Sequence, residues 1–427
     1  MPFIPFQSMR ISNVIVKTAS RCNLNCTYCY MYNQGDETFL KQPKFMSYDT
    51  IESMAQKISD HCVEHNLQYF EITFHGGEPL LAPPELYRFL VAKCKAIIPD
   101  SVKLGFSMQT NGTLLDDEWC KLFKELKIKV GFSMDGTRDA HDMYRVDHKG
   151  RGSYEKVVKG IKIYQKNNPK SGGVLSVLNI EEDPIEIYEN LKSLNIPSYG
   201  ILLPDVNYLT AVKNNFDLEN DPIRMADWFI RLFDHWYNDQ DTNKPNIRNF
   251  INLIDLIIGR TDQGTEATGI GKNDVLVIET DGGLEATDPL KTCGHGFTKD
   301  GLNIKTHSIS DALNSRLIRL YQNSHYALTK KCRVCPILNV CGGGYLPHRY
   351  HPLSGFNNTT VYCDGLIKLI THIQNRIIDL LPVACIDELQ IEKYSEIDVR
   401  TAINLNLSKA ELEDPELDEL LESFKVN

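Results

Sequence analysis

The stretch Ser20-Arg21-Cys22-Asn23-Leu24-Asn25-Cys26-Thr27-Tyr28-Cys29-Tyr30 carries most of the information in this chain. Its cysteines follow the spacing C-x3-C-x2-C, with an aromatic residue just before the third. Three thiolates on one short loop can bind three irons of a cubane [4Fe–4S] cluster, because soft sulfur suits iron–sulfur centres. The fourth iron then has no protein ligand, so the spacing predicts a reactive cluster that can coordinate a cosubstrate. A zinc site or a disulfide framework is the alternative, but zinc usually needs a fourth Cys or His nearby and this loop has none.

Strand-like and helix-like stretches alternate through the first half of the chain. Apolar residues at helical spacing predict helices over Ile51–Cys62, Leu86–Cys94 and Tyr154–Tyr164. Six strands alternating with helices predict an α/β fold of βαβ units, curled by right-handed crossovers into a six-unit partial (β/α) barrel. The strands are predicted at Ile11–Thr18, Tyr69–His75, Val102–Gln109, Ile128–Met134, Gly173–Asn179 and Tyr199–Leu203.

Polar motifs stand at the carboxyl ends of the first four predicted strands. The cysteine loop follows the first strand and His75-Gly76-Gly77-Glu78-Pro79 follows the second. Gln109-Thr110-Asn111-Gly112 follows the third strand, and Ser133-Met134-Asp135-Gly136 follows the fourth. Functional residues of such barrels gather at these strand ends. The agreement between motif position and topology predicts one site at this end of the barrel.

The cysteine spacing, the neighbouring aromatic and the Gly-Gly-Glu-Pro run together resemble the radical S-adenosylmethionine (SAM) superfamily. The resemblance implies a [4Fe–4S] cluster on Cys22, Cys26 and Cys29, whose open iron chelates SAM and allows its cleavage to a 5′-deoxyadenosyl radical. It also implies a set of residues that contact SAM. These residues also have a purely structural interpretation. Gly76 and Gly77 could form a strand-to-loop turn. The polar side chains at the strand ends could simply be hydrogen-bonded within the protein, and Arg145 could form a surface ion pair. The implied SAM contacts are Tyr28, Gly76, Gly77, Glu78, Gln109, Asn111, Ser133 and Arg145.

A second group of cysteines, Cys332, Cys335, Cys341 and Cys363, lies near the C-terminus. Four thiolates at these intervals can hold a fully ligated cubane or a structural zinc. The spacing resembles the SPASM domain, an auxiliary-cluster extension of radical SAM enzymes. That pattern has a further cysteine where this chain has Tyr345. The resemblance therefore implies one auxiliary [4Fe–4S] cluster and leaves the role of Cys293 open, because this cysteine has no evident set of co-ligands.

The chain divides into four predicted parts. Residues 1–205 form the partial barrel, and residues 206–273 form a bridging segment with a helix near Met225–Tyr237. Residues 274–380 form the smaller cysteine-rich, SPASM-like domain, which begins with a predicted β-hairpin around Asp281-Gly282-Gly283. Residues 381–427 form an acidic C-terminal tail.

Composition narrows the class of partners and the compartment. The net charge of −10 over 427 residues argues against nucleic acid, because phosphate binding needs a basic face. The sequence contains no uninterrupted run of 18 apolar residues, so no membrane-spanning helix is predicted. Met1–Arg10 lacks the apolar core of a signal peptide. Twelve cysteines without such a signal predict a reducing, cytoplasmic setting in which thiols bind metal.

The resemblance extends to one subgroup of radical SAM/SPASM peptide maturases, the enzymes that form three-residue cyclophanes. It rests on the cysteine loop, on Gln42-Pro43-Lys44-Phe45-Met46-Ser47 and on Leu202-Leu203-Pro204-Asp205. It implies a ribosomally made precursor peptide as substrate, a reductant such as flavodoxin or ferredoxin, and a carbon–carbon bond between an aromatic ring and a nearby β-carbon.

Other reactions remain as alternatives. Anaerobic sulfatase maturases are the second interpretation, but in that family Asp stands where this chain has Gly294 and Gln stands where it has His75. Thioether-forming maturases use the same domains. A binding protein without catalysis and an RNA-modifying radical enzyme are further hypotheses. Loss of a ring proton needs a general base, and the candidates beside the hairpin and Cys293 are Asp281, Asp288 and His295.

Overall fold

The computed structural model describes residues 10–168, 172–260, 262, 264–409 and 413–426. Most of Met1–Arg10 and the start of the acidic stretch 410–423 lie outside these residues. Within them, the strands are β1 (Asn13–Ala19), β2 (Tyr69–Gly76), β3 (Lys103–Thr110), β4 (Ile128–Ser133), β5 (Val174–Val177), β6 (Ser198–Leu202), β7 (Asn246–Ile247), β8 (Val275–Ile278) and β9 (Leu284–Glu285).

Helices alternate with the strands through the first half and form most of the regular secondary structure in the second half. The first eight are α1 (Tyr48–Glu64), α2 (Pro84–Ile97), α3 (Asp117–Leu126), α4 (Arg138–Tyr144), α5 (Tyr154–Asn167), α6 (Pro184–Ser193), α7 (Asp221–Asn238) and α8 (Arg248–Ile257). The remainder are α9 (Ile309–Leu313), α10 (Arg316–Gln322), α11 (Lys330–Arg333), α12 (Leu338–Cys341), α13 (Cys363–Ile378), α14 (Val383–Leu389), α15 (Glu396–Lys409) and α16 (Pro415–Glu422).

The described strands form one sheet in the order β7-β6-β5-β4-β3-β2-β1-β8-β9. Strands β1 to β6 are parallel neighbours, for example through Val16↔Phe74 between β1 and β2. All six predicted barrel strands are present, and the α/β partial-barrel prediction is confirmed. The carboxyl ends of these strands meet at one edge, which we call the barrel mouth.

The helices pack on the outer face of the sheet for reasons visible in their sequences. Helix α3 begins after Asp116, whose carboxylate accepts a hydrogen bond from the amide of Trp119, an N-cap that satisfies one free amide. Its apolar residues recur at helical spacing and face the sheet. The buried residues of α3 are Trp119, Cys120, Leu122, Phe123 and Leu126.

The predicted hairpin after residue 274 joins the barrel sheet. Strand β8 pairs in parallel with β1, with Val14 opposite Leu276, and β9 returns antiparallel to it. The sequence prediction placed this hairpin in the C-terminal domain. The apolar run Val275–Ile278 is buried between β1 and β9, which attaches the C-terminal part of the chain rigidly to the barrel.

The C-terminal helices wrap around the second group of cysteines. Helix α13 packs against α7, and Gly365 allows this approach because a Cβ there would overlap the carbonyl of Pro222. Ile403 of α15 is buried. The amide of Phe356 donates to the carbonyl of Leu421 in α16 at 2.8 Å. The described part of the acidic tail therefore packs on the cysteine-rich part. No helix among the described residues has the length and apolar character to cross a membrane.

Candidate active site

The cysteine loop leaves β1 at the barrel mouth and is held by backbone hydrogen bonds. The amide of Asn25 donates to the carbonyl of Val146 at 2.7 Å, and the amide of Thr27 donates to Tyr144 at 3.0 Å. Both acceptors lie at the end of α4. The loop is therefore fixed between the first strand and the connection after the fourth.

The three thiols of this loop suit a cluster. Cys22, Cys26 and Cys29 are free of disulfides and only partly buried. The Cys22 sulfur accepts a hydrogen bond from the amide of Leu24 at 3.4 Å. Burial, with repulsion from the neighbouring cysteines, raises the pKa of Cys29 to about 12 and that of Cys22 further. The thiols are close enough to repel one another as thiolates, and bound iron would relieve that repulsion.

The Gly-Gly-Glu-Pro run packs directly against the cysteine loop. The amide of Gly77 donates to Ala19 at 2.8 Å and that of Glu78 donates to Arg21 at 2.9 Å. Gly76 has a φ of +149°, and a Cβ on Gly77 would overlap the carbonyl of Arg21. These glycines are needed because backbone must approach backbone here.

Replacing Gly77 by Ala tests this close approach. We expect Gly77→Ala to lower the free energy of unfolding by about 1–3 kcal/mol through overpacking. It should also lower cluster occupancy, because the new Cβ displaces Arg21, the residue directly before Cys22. Iron content and thermal unfolding after anaerobic reconstitution measure both effects. Gly271→Ala is the matched control, because a Cβ there meets nothing within 4 Å. Equal iron and equal melting in the two variants would contradict the tight packing.

Glu78 connects the ends of β2 and β3. Its carboxylate accepts hydrogen bonds from the hydroxyl of Thr110 at 2.6 Å and the amides of Asn111 and Leu80 at 2.9 Å. Burial raises the pKa of Glu78 to about 7, against these three hydrogen bonds. The carboxylate is thus occupied in fixing the mouth, and we assign it to positioning the strand ends.

The remaining strand-end residues form a polar row inside the mouth. The side-chain Nδ2 of Asn111 donates to Oδ1 of Asn23 at 2.9 Å and lies 3.8 Å from the Cys22 sulfur. Gln109 donates to the hydroxyl of Ser133 at 2.9 Å across β3 and β4. The structure therefore brings these three predicted contacts to the same edge as the cysteine loop.

Tyr28, Asp135 and Arg145 form a buried group beside Cys26. The Arg145 Nε donates to Asp135 at 2.9 Å, and its guanidinium carbon lies 5.4 Å from the Tyr28 ring centroid. The Tyr28 hydroxyl donates to the same carboxylate. Burial, opposed by Arg145, raises the pKa of Cys26. Asp135 received no role from the sequence, although the strand-end run containing it was a usable signal.

The second group of cysteines lines one pocket. Cys332, Cys335, Cys341 and Cys363 face it together, and Ile337, Ile367 and Ile403 supply apolar walls. All four thiols are free. Burial and repulsion among the cysteines raise the pKa of Cys332 to about 11 and that of Cys363 to about 12. The donor set and the apolar enclosure fit an auxiliary cluster.

Cys293 lies away from that pocket, which it does not line. It is buried, and the Asn207 amide nitrogen is 3.9 Å from its sulfur. Tyr345, which replaces the further cysteine of the SPASM pattern, is buried and lies 3.2 Å from the Thr287 hydroxyl. A second auxiliary cluster at Cys293 therefore has no support in its described surroundings.

The three candidate bases lie in different settings. Asp281 is exposed in the hairpin turn and accepts the amide of Gly283 at 2.8 Å. His295 is exposed and accepts the amide of Glu37 at 3.1 Å. Asp288 is buried at the barrel mouth, where it forms an ion pair with Lys17 of β1. Asp288 is thus the one candidate that the structure brings beside the strand ends.

Asp288 belongs to a cluster of six charged side chains, five of them buried, that the sequence did not reveal. Lys17 lies 3.1 Å from His75, the residue before the glycine pair. Burial alone would raise the pKa of Asp288, but the positive charges of Lys17 and Lys291 hold this pKa below its usual value. The Oδ1 atom of Asp288 has no partner among the described residues. The other members of the cluster are Glu279, Glu285, Lys291 and Lys299.

Comparison with known families identifies the class. A profile described as the Radical SAM superfamily matches residues 16–194, the part that contains the cysteine loop and the first five strands. Most of the barrel therefore matches the radical SAM superfamily, and the chain is an enzyme that binds a [4Fe–4S] cluster and SAM.

Individual relatives match most of the chain. It is 26% identical over 360 residues to the cysteine-type anaerobic sulfatase-maturating enzyme of Clostridium novyi (strain NT), covering 83% of this chain and 93% of that protein. The serine-type anaerobic sulfatase-maturating enzyme of Klebsiella aerogenes is 26% identical, with 82% of each covered. The solved structure of native anSMEcpe with bound AdoMet and Cp18Cys peptide has a TM-score of 0.74 and 24% identity, covering 86% of this chain and 98% of that one.

Proposed function

We propose that this enzyme modifies a ribosomally made precursor peptide by joining an aromatic ring carbon to the β-carbon of a nearby side chain. One structural observation supports the base that such a reaction needs. Asp288 is ionised, and its Oδ1 atom has no partner among the described residues. On one side Asp288 pairs with Lys17 in β1, which leads into the first cysteine loop. On the other side its neighbour Thr287 contacts Tyr345, four residues after Cys341.

In this proposal the first group of cysteines holds the SAM-binding cluster and the mouth holds SAM. When bound, the cluster and SAM supply the radical that removes a hydrogen atom from the substrate carbon. The carbonyls of Gly76 and Gly77 would hold the methionine ammonium, and Arg145 would hold the carboxylate. Gln109, Asn111 and Ser133 would bind the ribose, and Tyr28 would pack near the adenine.

Formation of the new bond leaves the ring with one extra proton and one extra electron. We assign the proton to Oδ1 of Asp288, because this oxygen is buried, unpartnered and part of an ionised carboxylate. Lys17 keeps the other carboxylate oxygen in place. Cys332, Cys335, Cys341 and Cys363 would hold the auxiliary [4Fe–4S] cluster, which would supply an acceptor for the electron. A flavodoxin or ferredoxin is the proposed source of the initiating electron.

The two segments that resemble cyclophane-forming maturases both reach the C-terminal part at the mouth. The side-chain oxygen of Gln42 accepts hydrogen bonds from the Thr280 hydroxyl at 3.0 Å and the Asp281 amide at 3.2 Å. The Tyr362 hydroxyl donates to the carbonyl of Pro204 at 2.8 Å. These contacts favour a role for both segments in shaping the space for the peptide.

The second candidate is oxidation of a peptide Ser or Cys to an aldehyde. It is favoured by the similarity to cysteine-type and serine-type anaerobic sulfatase-maturating enzymes. It is disfavoured by Gly294, which stands directly after Cys293 where those maturases place an aspartate. Asp288 could serve as base in this reaction too, so the product must decide between them.

Product analysis tests the proposal. The enzyme, SAM and a reductant are incubated with synthetic peptides in which Trp, Tyr or Phe stands two residues before a side chain that has a β-methylene group, and with matched peptides that carry Ser or Cys. We expect loss of two hydrogen atoms from an aromatic peptide, with a fragmentation gap across three residues and no reaction with a hydrazine. A hydrazine-reactive product from the Ser or Cys peptides would establish the second candidate instead.

A further inference from the structure

Arg349 is a buried guanidinium without a carboxylate partner. Its exposed fraction is 1%, and no acidic side chain lies within ion-pair distance of it among the described residues. A buried charge is normally paired, because leaving water is costly. Arginine cannot relieve that cost by losing its proton. The charge of Arg349 therefore needs an anion that side chains do not provide.

Backbone carbonyls position the guanidinium. Nη1 donates to the carbonyls of Ser324 at 2.8 Å and Ala327 at 3.2 Å, and Nη2 donates to Gly344 at 2.5 Å. The Nε atom has no partner among the described residues. These neutral acceptors orient the group but leave its net charge uncompensated.

The guanidinium packs against the turn that carries Cys341. Gly342, Gly343 and Gly344 all have positive φ, from +64° to +78°, a backbone that favours glycine. A Cβ on Gly343 would lie 3.3 Å from Nη2 of Arg349, and Gly343 itself lines the cysteine pocket. Arg349 is also electrostatically coupled to the sulfurs of Cys332 and Cys341. The glycine turn thus places the guanidinium directly behind the wall of the cysteine pocket.

We propose that Arg349 is the internal counter-charge of the auxiliary cluster and raises its reduction potential. This rests on the assignment of that cluster under Proposed function. Four thiolates give the bound cluster a net negative charge, which becomes one unit more negative on reduction. A fixed cation at the pocket wall stabilises the reduced form more than the oxidised form. Charge and hydrogen bonding near the sulfurs are established means of setting such potentials. Arg349 therefore acts through the cluster, by setting its reduction potential, and has no direct role in binding substrate.

A redox titration tests the proposal without reference to turnover. It is performed on the protein with Cys22, Cys26 and Cys29 changed to Ala, so that the auxiliary cluster alone is observed by electron paramagnetic resonance. We expect Arg349→Gln to lower the reduced-to-oxidised ratio at fixed potential at least tenfold, a shift of about 59 mV for one electron. Arg349→Lys, which keeps the charge, should shift less. An unchanged midpoint in Arg349→Gln at full iron content would overturn the proposal.

The matched control removes an equal charge from the same domain. Arg376 lies on α13, the helix that begins with Cys363, about 20 Å further along. It is paired with Asp234 at 3.2 Å. Arg376→Gln should leave the midpoint unchanged. A shift equal to that of Arg349→Gln would indicate a general charge effect and would contradict a specific counter-charge.

A stability comparison covers the case in which Arg349→Gln loses its cluster. Thermal unfolding is measured for wild type and Arg349→Met, each with metal bound and after removal by a chelator. With metal bound, we expect Arg349→Met to melt at a lower temperature than wild type. Without metal, it should melt at the same or a higher temperature, because Arg349 of the wild-type protein is then a buried cation without an anion. The same order of melting in both states would overturn the pairing. Zinc in place of iron would contradict the auxiliary cluster, while this comparison would still test the pairing.

Discussion

Changing Cys22, Cys26 and Cys29 together to Ala should abolish the reductive cleavage of SAM and leave about four irons per chain. The three thiols converge at the barrel mouth beside Asn111 and Arg145, and no other described cysteine joins them. The four thiols of the second pocket are separate from this loop. The measurements are 5′-deoxyadenosine formed with SAM and dithionite, and iron and zinc content after anaerobic purification.

A matched triple variant controls for the loss of cysteines as such. Cys62, Cys94 and Cys120 are buried on helix faces and should retain cleavage and about eight irons when changed to Ala. Continued formation of 5′-deoxyadenosine in the loop variant would contradict the assignment of the SAM-binding cluster. About eight irons in that variant would contradict a single auxiliary cluster, and zinc alone would make the second group of cysteines structural.

Asp288→Asn should separate radical generation from product formation. The asparagine keeps the shape of the side chain but cannot take up the ring proton. We expect cross-linked product to fall by about 10²–10⁴-fold, the usual contribution of a general base. Formation of 5′-deoxyadenosine should continue. Both products are quantified by mass spectrometry in the same incubation.

Asp288→Asn also breaks the buried ion pair with Lys17, and a double variant separates this loss of stability from the loss of the base. Lys17 would lose its anion, at a cost of about 3–5 kcal/mol. The double variant Lys17→Gln/Asp288→Asn removes both charges and should regain stability without regaining product. Asp281→Asn, in the exposed turn, should behave as wild type. Recovery of product in the double variant would show that Asp288 acts through stability and is no base.

The sequence predicted those parts of the fold that depend on local pattern. All six barrel strands and the helices α1, α2 and α5 lie where periodicity placed them, and the cysteine spacings predicted which thiols converge. The pairing of β8 with β1 could not be predicted, because it joins segments more than 250 residues apart and parallel pairing leaves no local signal.

The polar interior was less accessible to sequence reasoning. Lys17 reads as one polar residue in an apolar strand, and its partner Asp288 lies 271 positions away. Asp135 and Arg349 were likewise missed, because a buried charge is recognised by its surroundings. Of the three predicted bases, the structure brings only Asp288 to the described part of the mouth. The packing of the acidic tail was not predicted either. In its described part Val399, Ile403 and Leu421 are buried, and these apolar residues are too widely spaced to indicate a buried helix face.

The most direct test of the central claim follows one hydrogen atom. An aromatic peptide that the enzyme converts is prepared with deuterium at the β-carbon of the residue two positions after the ring. We predict that deuterium appears in 5′-deoxyadenosine in step with a product that has lost one β-deuterium and one ring hydrogen. Unlabelled 5′-deoxyadenosine alongside such a product, or a product that keeps all of its ring hydrogens, would contradict the proposed cross-linking function.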